Sequence, residues 1–132
     1  MERLKGLQEV LAEHPQVHVE VCAGDYTLMP SYLHTLDYLA EHSAPDAIMG
    51  FNQLITLGAL RALRMHDIPQ ESLTICGIDR LPFADIFGVP IACVAHDASL
   101  AGSSAVRLLL DRLEDPHKPR DKVVIAGKLE NG

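Results

Sequence analysis

The sequence predicts an α/β domain built on a mainly parallel sheet with flanking helices. Short apolar segments, such as residues 47–51, alternate along the chain with longer segments in which apolar residues recur every three or four positions. That alternation is typical of parallel strands joined by crossover helices. A hydrophobic fraction of 48% and a charged fraction of 22% suit a packed core, and 132 residues fit one ordinary domain.

Four amphipathic helices are predicted where apolar residues at three- and four-residue spacing share one face. Pro15 ends the first helix, Pro30 lies near the start of the second, and Pro45 follows its end. Asn52 and Asp97 are residue types that cap helix N-termini, and each precedes a helical pattern. The predicted helices cover residues 2–13, 30–41, 52–66 and 97–113, with a further short helix within residues 79–90.

Five strands complete the predicted fold. Residues 17–22 alternate apolar and polar side chains, which is the pattern of a half-buried strand. Residues 47–51 are apolar at odd and even positions alike, as in a strand buried on both faces of a parallel sheet. The expected order is helix, strand, helix, strand, helix, strand, strand, helix, strand. The remaining strands are predicted over residues 73–78, 91–94 and 123–126.

Charge, cysteines and hydropathy exclude several functions for this segment. The chain has 11 Lys and Arg against 18 Asp and Glu, a net charge of -7, so the segment alone is a poor binder of nucleic acid. Cys22, Cys76 and Cys93 lie in apolar runs without paired spacing, which favours buried thiols over disulfides. Neither an apolar secretory core nor a membrane-spanning run is evident. We therefore expect a cytoplasmic protein without a membrane partner.

Enzyme motifs do not accompany the polar residues. The seven histidines lack the HExxH spacing of a metal site, and the chain has neither a GxSxG nucleophile elbow nor a GxGxxG phosphate-binding loop. The sequence therefore predicts a binding protein without cofactor, metal or catalytic residues.

Polar side chains follow four of the predicted strands, namely Tyr26, Asn52, Asp79 and His96. Ligands of α/β sheets bind at the carboxyl ends of the strands, so these positions predict a site for a small polar ligand. Two alternatives stay open at this point. Asn52 could serve as a helix N-cap alone, and Asp79 could simply form a turn.

Helix 52–66 carries more apolar surface than a helix that covers a sheet needs. Leu54, Leu57 and Arg61 form a stripe displaced from the one that is expected to face the sheet. Phe87 lies in a loop without an evident role in the core. Together these residues predict a contact between two subunits. The alternative is that Leu54 and Leu57 pack within the same chain.

A set of short motifs occurs in a specific order along nearly the whole chain. The motifs are Arg3-Leu4-Lys5-Gly6, Gly24-Asp25-Tyr26, Pro45-Asp46-Ala47-Ile48, Phe51-Asn52, Leu57-Gly58-Ala59-Leu60-Arg61-Ala62-Leu63, Ile68-Pro69, Ile75-Cys76-Gly77-Ile78-Asp79, Pro90, Asp97 and Gly102. Each motif alone is weak, but the ordered set is specific. It resembles the lactose/galactose repressor family of transcriptional regulators.

The resemblance implies part of an effector-binding region, with an incomplete type I periplasmic-binding-protein-like fold. Residues 1–95 and 122–129 would form mainly one α/β subdomain, and residues 96–121 would contribute the crossover helix of the other. The effector would be a sugar, a sugar derivative or a nucleobase. Operator DNA would be bound only through an N-terminal helix-turn-helix, and we expect this DNA-binding domain to be absent from these 132 residues.

The resemblance also implies roles for single residues. Helix 52–66 and the loop that holds Phe87 would form a homodimer. Ligand contacts are implied for Arg3, Tyr26, Asn52, Asp79 and His96.

Departures from the family pattern leave the effector open. Gln53 stands where many relatives have Asp, and Ala92-Cys93 stands where Thr-Thr is customary. Two alternatives remain for the same residues. One is an exported sugar-binding protein of the same fold, and the other is a small α/β enzyme that uses Asp79 or His96 as a base.

Overall fold

The computed structural model describes residues 2–69, 72–82, 84–88 and 90–131, without the side chains of positions 85 and 87. Helices and strands alternate over most of this length, which confirms the predicted α/β class. The elements in chain order are α1 (Glu2–Leu11), α2 (Leu28–Glu41), β1 (Ala47–Gly50), α3 (Gln53–Met65), β2 (Thr74–Ile78), α4 (Ala84–Phe87), β3 (Ile91–Ala95), α5 (Ala98–Glu114) and β4 (Lys128–Glu130).

The strands form one four-stranded sheet in the order β1-β2-β3-β4. β1 pairs with β2 and β2 with β3 in parallel, whereas β4 runs antiparallel to β3. Gly50 lies opposite Gly77, and Ile78 lies opposite Val94. The carboxyl ends of the three parallel strands therefore meet at one edge of the sheet, which we call the carboxyl edge.

The predicted strand over residues 17–22 is wrong. Within the described ranges this segment pairs with no strand, and its valines are exposed, Val17 at 49% and Val21 at 54%. Alternating apolar residues favour a strand only where a neighbouring strand takes up the backbone N–H and C=O groups. β1 is the first strand of the sheet, and within the described ranges its outer edge has no strand beside it.

The last strand is displaced from its predicted position. Residues 123–126 form no ladder, and the side chain of Val124 is 78% exposed. The chain approaches the sheet at Gly127, where a Cβ atom would lie 2.6 Å from Cγ1 of Val94. Pairing with β3 begins directly after this close approach, so the ladder forms at Lys128–Glu130 instead.

The core lies between α3 and one face of the sheet. Leu60 and Leu63 of α3 are 1% and 0% exposed, and they pack with Leu73, Ile75 and Ile91. Burial of such side chains is the main favourable contribution to folding, at about 1.5–3 kcal/mol each.

Helix α2 crosses α3 at very short range. Ser31 Oγ donates a hydrogen bond to the Ile55 carbonyl at 2.8 Å, and the Arg61 guanidinium lies 4.5 Å from the centre of the Tyr32 ring. The crossing point is Gly58, where a Cβ atom would lie 2.5 Å from the Leu28 carbonyl oxygen. Only a residue without a side chain allows the two backbones to come this close.

Helix α5 contributes no buried residue. Its predicted N-cap is confirmed, because Asp97 Oδ1 accepts a hydrogen bond from the Leu100 N–H at 2.8 Å. The apolar face is nevertheless open, with Leu109 at 57% and Leu113 at 68% exposure. The helix is thus defined by its local signals and not by packing against the sheet.

The cysteines are free thiols, but only one of them is buried. Cys93 on β3 is buried, and this burial raises the pKa of its thiol. Cys76 is half-buried, whereas Cys22 is exposed. The expectation of three buried thiols is therefore wrong for Cys22, because the segment that holds it is not part of the sheet.

Alanine substitutions at two glycines should have opposite effects on stability. Gly58→Ala should lower the free energy of unfolding by about 1–3 kcal/mol, because the new methyl group overlaps the α2 backbone. Gly102→Ala on α5 should raise it by about 0.5–1 kcal/mol, because nothing lies within 4 Å of the new atom and alanine favours helix. Urea denaturation monitored by circular dichroism measures both. Equal effects of the two substitutions would show that the α2–α3 crossing is not tight.

Candidate functional site

The carboxyl edge collects the polar residues that follow the parallel strands. Asn52 lies just beyond β1, Asp79 just beyond β2 and His96 just beyond β3. Because these strands are parallel neighbours, the three residues lie at the same end of the sheet. This is the position at which open α/β sheets bind ligands.

Asn52 is bonded through both ends of its side-chain amide. Oδ1 accepts a hydrogen bond from the Ile55 N–H at 2.8 Å and thereby caps α3. Nδ2 donates to the carbonyl oxygen of Tyr26 at 3.0 Å. The N-cap role is therefore confirmed, and the same side chain also reaches the loop that precedes α2.

Tyr26 occupies a strained backbone conformation. Its φ of +64° lies in the left-handed region, which costs a residue with a side chain about 1 kcal/mol or more. The neighbouring Asp25 shapes the turn, because its Oδ1 accepts from the Thr27 N–H at 3.2 Å and the Thr27 hydroxyl at 2.6 Å. These two hydrogen bonds lower the pKa of Asp25. Tyr26 is 40% exposed.

Arg3 reaches the carboxyl edge from α1. Its guanidinium donates to the carbonyl oxygen of Phe51, the residue between β1 and Asn52. A guanidinium has five N–H donors, so this single bond leaves most of its donor capacity unspent. Arg3 and Tyr26 are therefore bonded to neighbouring residues, Arg3 to the Phe51 carbonyl and Tyr26 to the Asn52 side chain.

Asp79 and His96 form the second group of the edge. Asp79 also has a left-handed φ, of +74°, and its N–H donates to the Val94 carbonyl at 3.0 Å. His96 Nδ1 lies 3.4 Å from Asp79 Oδ1. Both side chains are partly exposed, at 40% for Asp79 and 45% for His96. A carboxylate and an imidazole side by side can accept and donate hydrogen bonds to a polar ligand.

Arg80 and Glu130 form a two-pronged ion pair beside this group. Nε of Arg80 donates to Oε2 of Glu130 at 2.7 Å, and Nη2 of Arg80 donates to Oε1. The pair lowers the pKa of Glu130 and raises that of Arg80. Sequence reasoning did not find this contact, because the two residues are 50 positions apart and no local pattern links them.

Three of the residues predicted for subunit contact, Leu54, Leu57 and Arg61, lie on α3, whereas Phe87 lies on α4. Leu54 is 41% exposed and Leu57 is half-buried. Arg61 is exposed, but its guanidinium stacks on the Tyr32 ring of α2. The side chain of Phe87 lies outside the described part of the chain.

The described residues provide neither a metal-binding cluster nor a membrane-spanning helix. In those ranges, no three His, Cys, Asp or Glu side chains come together as a metal ion would require. The helices described here include none with the length and apolarity needed to span a membrane.

The comparison with known proteins is consistent with this geometry. The sequence profile of the periplasmic binding protein-like domain family matches residues 1–132. The transcriptional regulator CelR of Thermobifida fusca is 30% identical over 117 residues, a match that covers 86% of this chain and 34% of the relative. The repressor PurR of Vibrio cholerae is 25% identical over 122 residues, which are 90% of this chain and 36% of PurR.

A solved structure gives the same result. The complex of the transcriptional regulator CelR with cellobiose superimposes with a TM-score of 0.83 at 27% identity, over 98% of this chain and 40% of the regulator. The chain belongs to the periplasmic binding protein-like domain family, and within it to the effector-binding regions of lactose/galactose-type repressors. The resemblance seen in the sequence is thereby confirmed. The chain spans about a third of the length of the curated relatives that it matches.

The Arg80–Glu130 ion pair makes a pH-dependent contribution to stability. The folded chain holds the pKa of Glu130 below its ordinary value of 4.5, so its contribution is present above that value and is lost as the pH falls through the lowered pKa. At pH 7 the Glu130→Gln variant should therefore unfold at a lower urea concentration than the unchanged chain. The difference in stability between the variant and the unchanged chain should shrink as the pH falls below about 4.5. It should vanish once Glu130 is protonated in both the folded and the unfolded chain.

An Arg80→Gln background provides the control. Without the guanidinium, Glu130→Gln should change stability little at any of these pH values. A difference that persists in this background would show that the pH dependence does not come from the ion pair.

Proposed function

We propose that this chain is the effector-sensing and dimerisation region of a cytoplasmic transcriptional repressor of the lactose/galactose type. The observation that carries the proposal is the carboxyl edge, where Arg3, Tyr26, Asp79 and His96 present charged and aromatic groups at the strand ends. The similarity to such regulators supports it, because PurR and CelR are 25% and 30% identical to this chain over 90% and 86% of its length. The protein acts by binding and not by catalysis.

The edge residues divide the recognition of the effector among them. The Asp79 carboxylate accepts hydrogen bonds from hydroxyl or ring N–H groups, and His96 beside it donates or accepts. Arg3 supplies N–H donors from the other side, and the Tyr26 ring covers an apolar face of the ligand. Asn52 belongs to the same site. This combination suits a sugar, a sugar derivative or a nucleobase.

The effector is sensed between two subdomains. Residues 1–95 and 122–129 form mainly one subdomain, and residues 96–121 supply a helix to the other. The open apolar face of α5, with Leu109 and Leu113 exposed, supports this division, because a helix of this pattern packs against further structure. An effector that binds one arrangement of the subdomains more tightly shifts the equilibrium towards it and thereby changes operator affinity. Operator DNA is contacted by a separate helix-turn-helix.

Effector binding is tested by thermal unfolding of the 132-residue chain in the presence of cellobiose, other disaccharides, monosaccharides and nucleobases. A ligand that binds only the folded chain raises stability by about 2.7 kcal/mol at about 100 times its dissociation constant. At least one of these classes should raise the unfolding temperature. If all leave it unchanged at millimolar concentrations, the carboxyl edge of this chain does not bind such effectors.

Asp79→Asn should weaken binding of the effector found in this way by roughly 10- to 100-fold, because hydrogen bonds to a charged group contribute about 1.5–3 kcal/mol. Asp46→Asn is the matched control. Asp46 is also exposed and follows no strand, since it lies just before β1 at the opposite end of the sheet. Isothermal titration calorimetry measures both variants. Equal affinities of the two would exclude Asp79 from the site.

A second copy of the chain is the proposed partner of the α3 stripe. Leu54, Leu57 and Arg61, with Phe87 from the α4 segment, form the contact, and Leu54 supplies an exposed apolar side chain at its start. Such a symmetric pair would bring together two copies of the separate helix-turn-helix, as a palindromic operator requires.

Leu54→Asp should shift the chain towards monomer, because the charge would be buried without a partner at the interface. Leu113→Asp on α5 is the control, since Leu113 is 68% exposed on the helix that the dimer does not use. Sedimentation velocity over a concentration series distinguishes the two. A chain that is monomeric throughout, or a dimer disrupted only by Leu113→Asp, would contradict the proposed interface.

A further inference from the structure

Three segments of the chain meet at the neighbouring residues Phe51 and Asn52. The start of α1 arrives through Arg3, whose guanidinium is bonded to the Phe51 carbonyl. The loop before α2 arrives through Tyr26, whose carbonyl is bonded to the Asn52 side chain. The first turn of α3 begins here, because the Asn52 carbonyl accepts from the N–H and the hydroxyl of Thr56.

The Asn52 amide is committed to this junction at both ends. Its oxygen is 2.8 Å from the Ile55 nitrogen and its nitrogen is 3.0 Å from the Tyr26 oxygen. An effector that took either group would leave a backbone N–H of α3 or the Tyr26 carbonyl without this partner. A lost hydrogen bond of that kind typically offsets what the new one contributes.

We infer that Asn52 is a positioning residue, whose amide nitrogen holds the Tyr26 loop against the start of α3 while its oxygen caps the helix. The inference rests on the proposed effector site, and it changes the part that Asn52 plays there. Tyr26 and Arg3 touch the effector, and Asn52 acts through Tyr26. The side chain of a single residue thereby couples the helix end to the loop.

The strained backbone of Tyr26 gives this bond its importance. A φ of +64° is unfavourable for tyrosine, so the loop needs contacts that hold it in place. The turn made by Asp25 and Thr27 defines the loop from within. The bond from Asn52 ties the loop to the rest of the site. Without that tie, the binding-competent position of the Tyr26 ring is only partly populated, and the apparent affinity falls by the same fraction.

Two substitutions should remove the hydrogen bond from Asn52 to Tyr26 and keep the N-cap of α3. Asn52→Asp and Asn52→Ser both introduce good N-cap residues with an oxygen for the Ile55 N–H, and both remove the amide nitrogen that reaches Tyr26. Serine is neutral, so an effect that both variants share is not due to added charge. Gln53→Ala, at the exposed neighbouring position, is the control.

The measurement is backbone ¹⁵N relaxation of the unliganded 132-residue chain. In the unchanged chain and in Gln53→Ala, the amides of Tyr26 and Thr27 should have order parameters near about 0.85, the value of a rigid backbone. In both Asn52 variants these values should fall below about 0.6, whereas the Ile55 amide in α3 should keep its value. The loop alone is expected to become mobile.

Three outcomes would overturn the inference. The loop could already be mobile in the unchanged chain, it could stay rigid in both variants, or the first turn of α3 could loosen together with the loop, in which case Asn52 is a cap only. None of these results depends on a ligand. If the proposed function fails, thermal unfolding detects no effector. The relaxation measurements still test the role of Asn52, because they need no ligand.

Cellobiose serves as the probe for the consequence in binding, provided that it stabilises the unchanged chain. Asn52→Ser should then raise the dissociation constant for cellobiose by about tenfold, because the Tyr26 loop is less often in its binding-competent position. The unfolding temperature of Asn52→Ser should stay within a few degrees of that of Gln53→Ala. An unchanged dissociation constant in a variant whose loop is mobile would show that Tyr26 does not contribute to the site.

Discussion

The joint between β1 and α3 is the constraint on which the rest of the site depends. Thr56 is 2% exposed and its hydroxyl fits against Gly50, where a Cβ atom would lie 2.2 Å from that oxygen. The helix can begin directly over the end of the strand only because position 50 has no side chain. Phe51 and Asn52 are thereby fixed at the carboxyl edge, where Arg3 is bonded to the Phe51 carbonyl and Tyr26 to the Asn52 side chain.

The polar contacts of the edge serve geometry more than stability. The Arg80–Glu130 and Asp79–His96 pairs are exposed to a large extent, and exposed ion pairs contribute little to the free energy of folding. What they do is hold the loops after the strands in defined positions. β4 takes part in this, because Glu130 connects the last segment of the chain to the loop after β2. Stability comes mainly from the buried leucines and isoleucines between α3 and the sheet.

Large apolar side chains remain uncovered on α5 and on the segment around Val17 and Val21. Exposed apolar surface of this extent is characteristic of regions that meet further structure. In both places the local sequence pattern is clear, with helical spacing in one and alternation in the other. The helix forms nevertheless, because its hydrogen bonds are internal to the segment, whereas a strand requires another strand. This difference explains why the predicted helix over residues 97–113 is correct and the predicted strand over residues 17–22 is wrong.

The sequence by itself determined the α/β class, the helices, the three parallel strands and the N-cap residues Asn52 and Asp97. These features depend on apolar periodicity and on residue types within a few positions, which local sequence contains. It also indicated which residues follow the strands, although it could not say that the Asn52 amide is bonded to Tyr26.

Only the tertiary structure decided the contacts between distant segments. Residues 17–22 form no ladder because no described strand pairs with them, and the last strand forms at Lys128–Glu130 because it pairs with β3 there. The Arg80–Glu130 pair likewise joins residues that are far apart in the chain. The left-handed backbone of Tyr26 and Asp79 has the same origin. That conformation is unfavourable for tyrosine and less so for aspartate, and in the folded chain each residue is held by a hydrogen bond, from Asn52 to the Tyr26 carbonyl and from the Asp79 N–H to Val94.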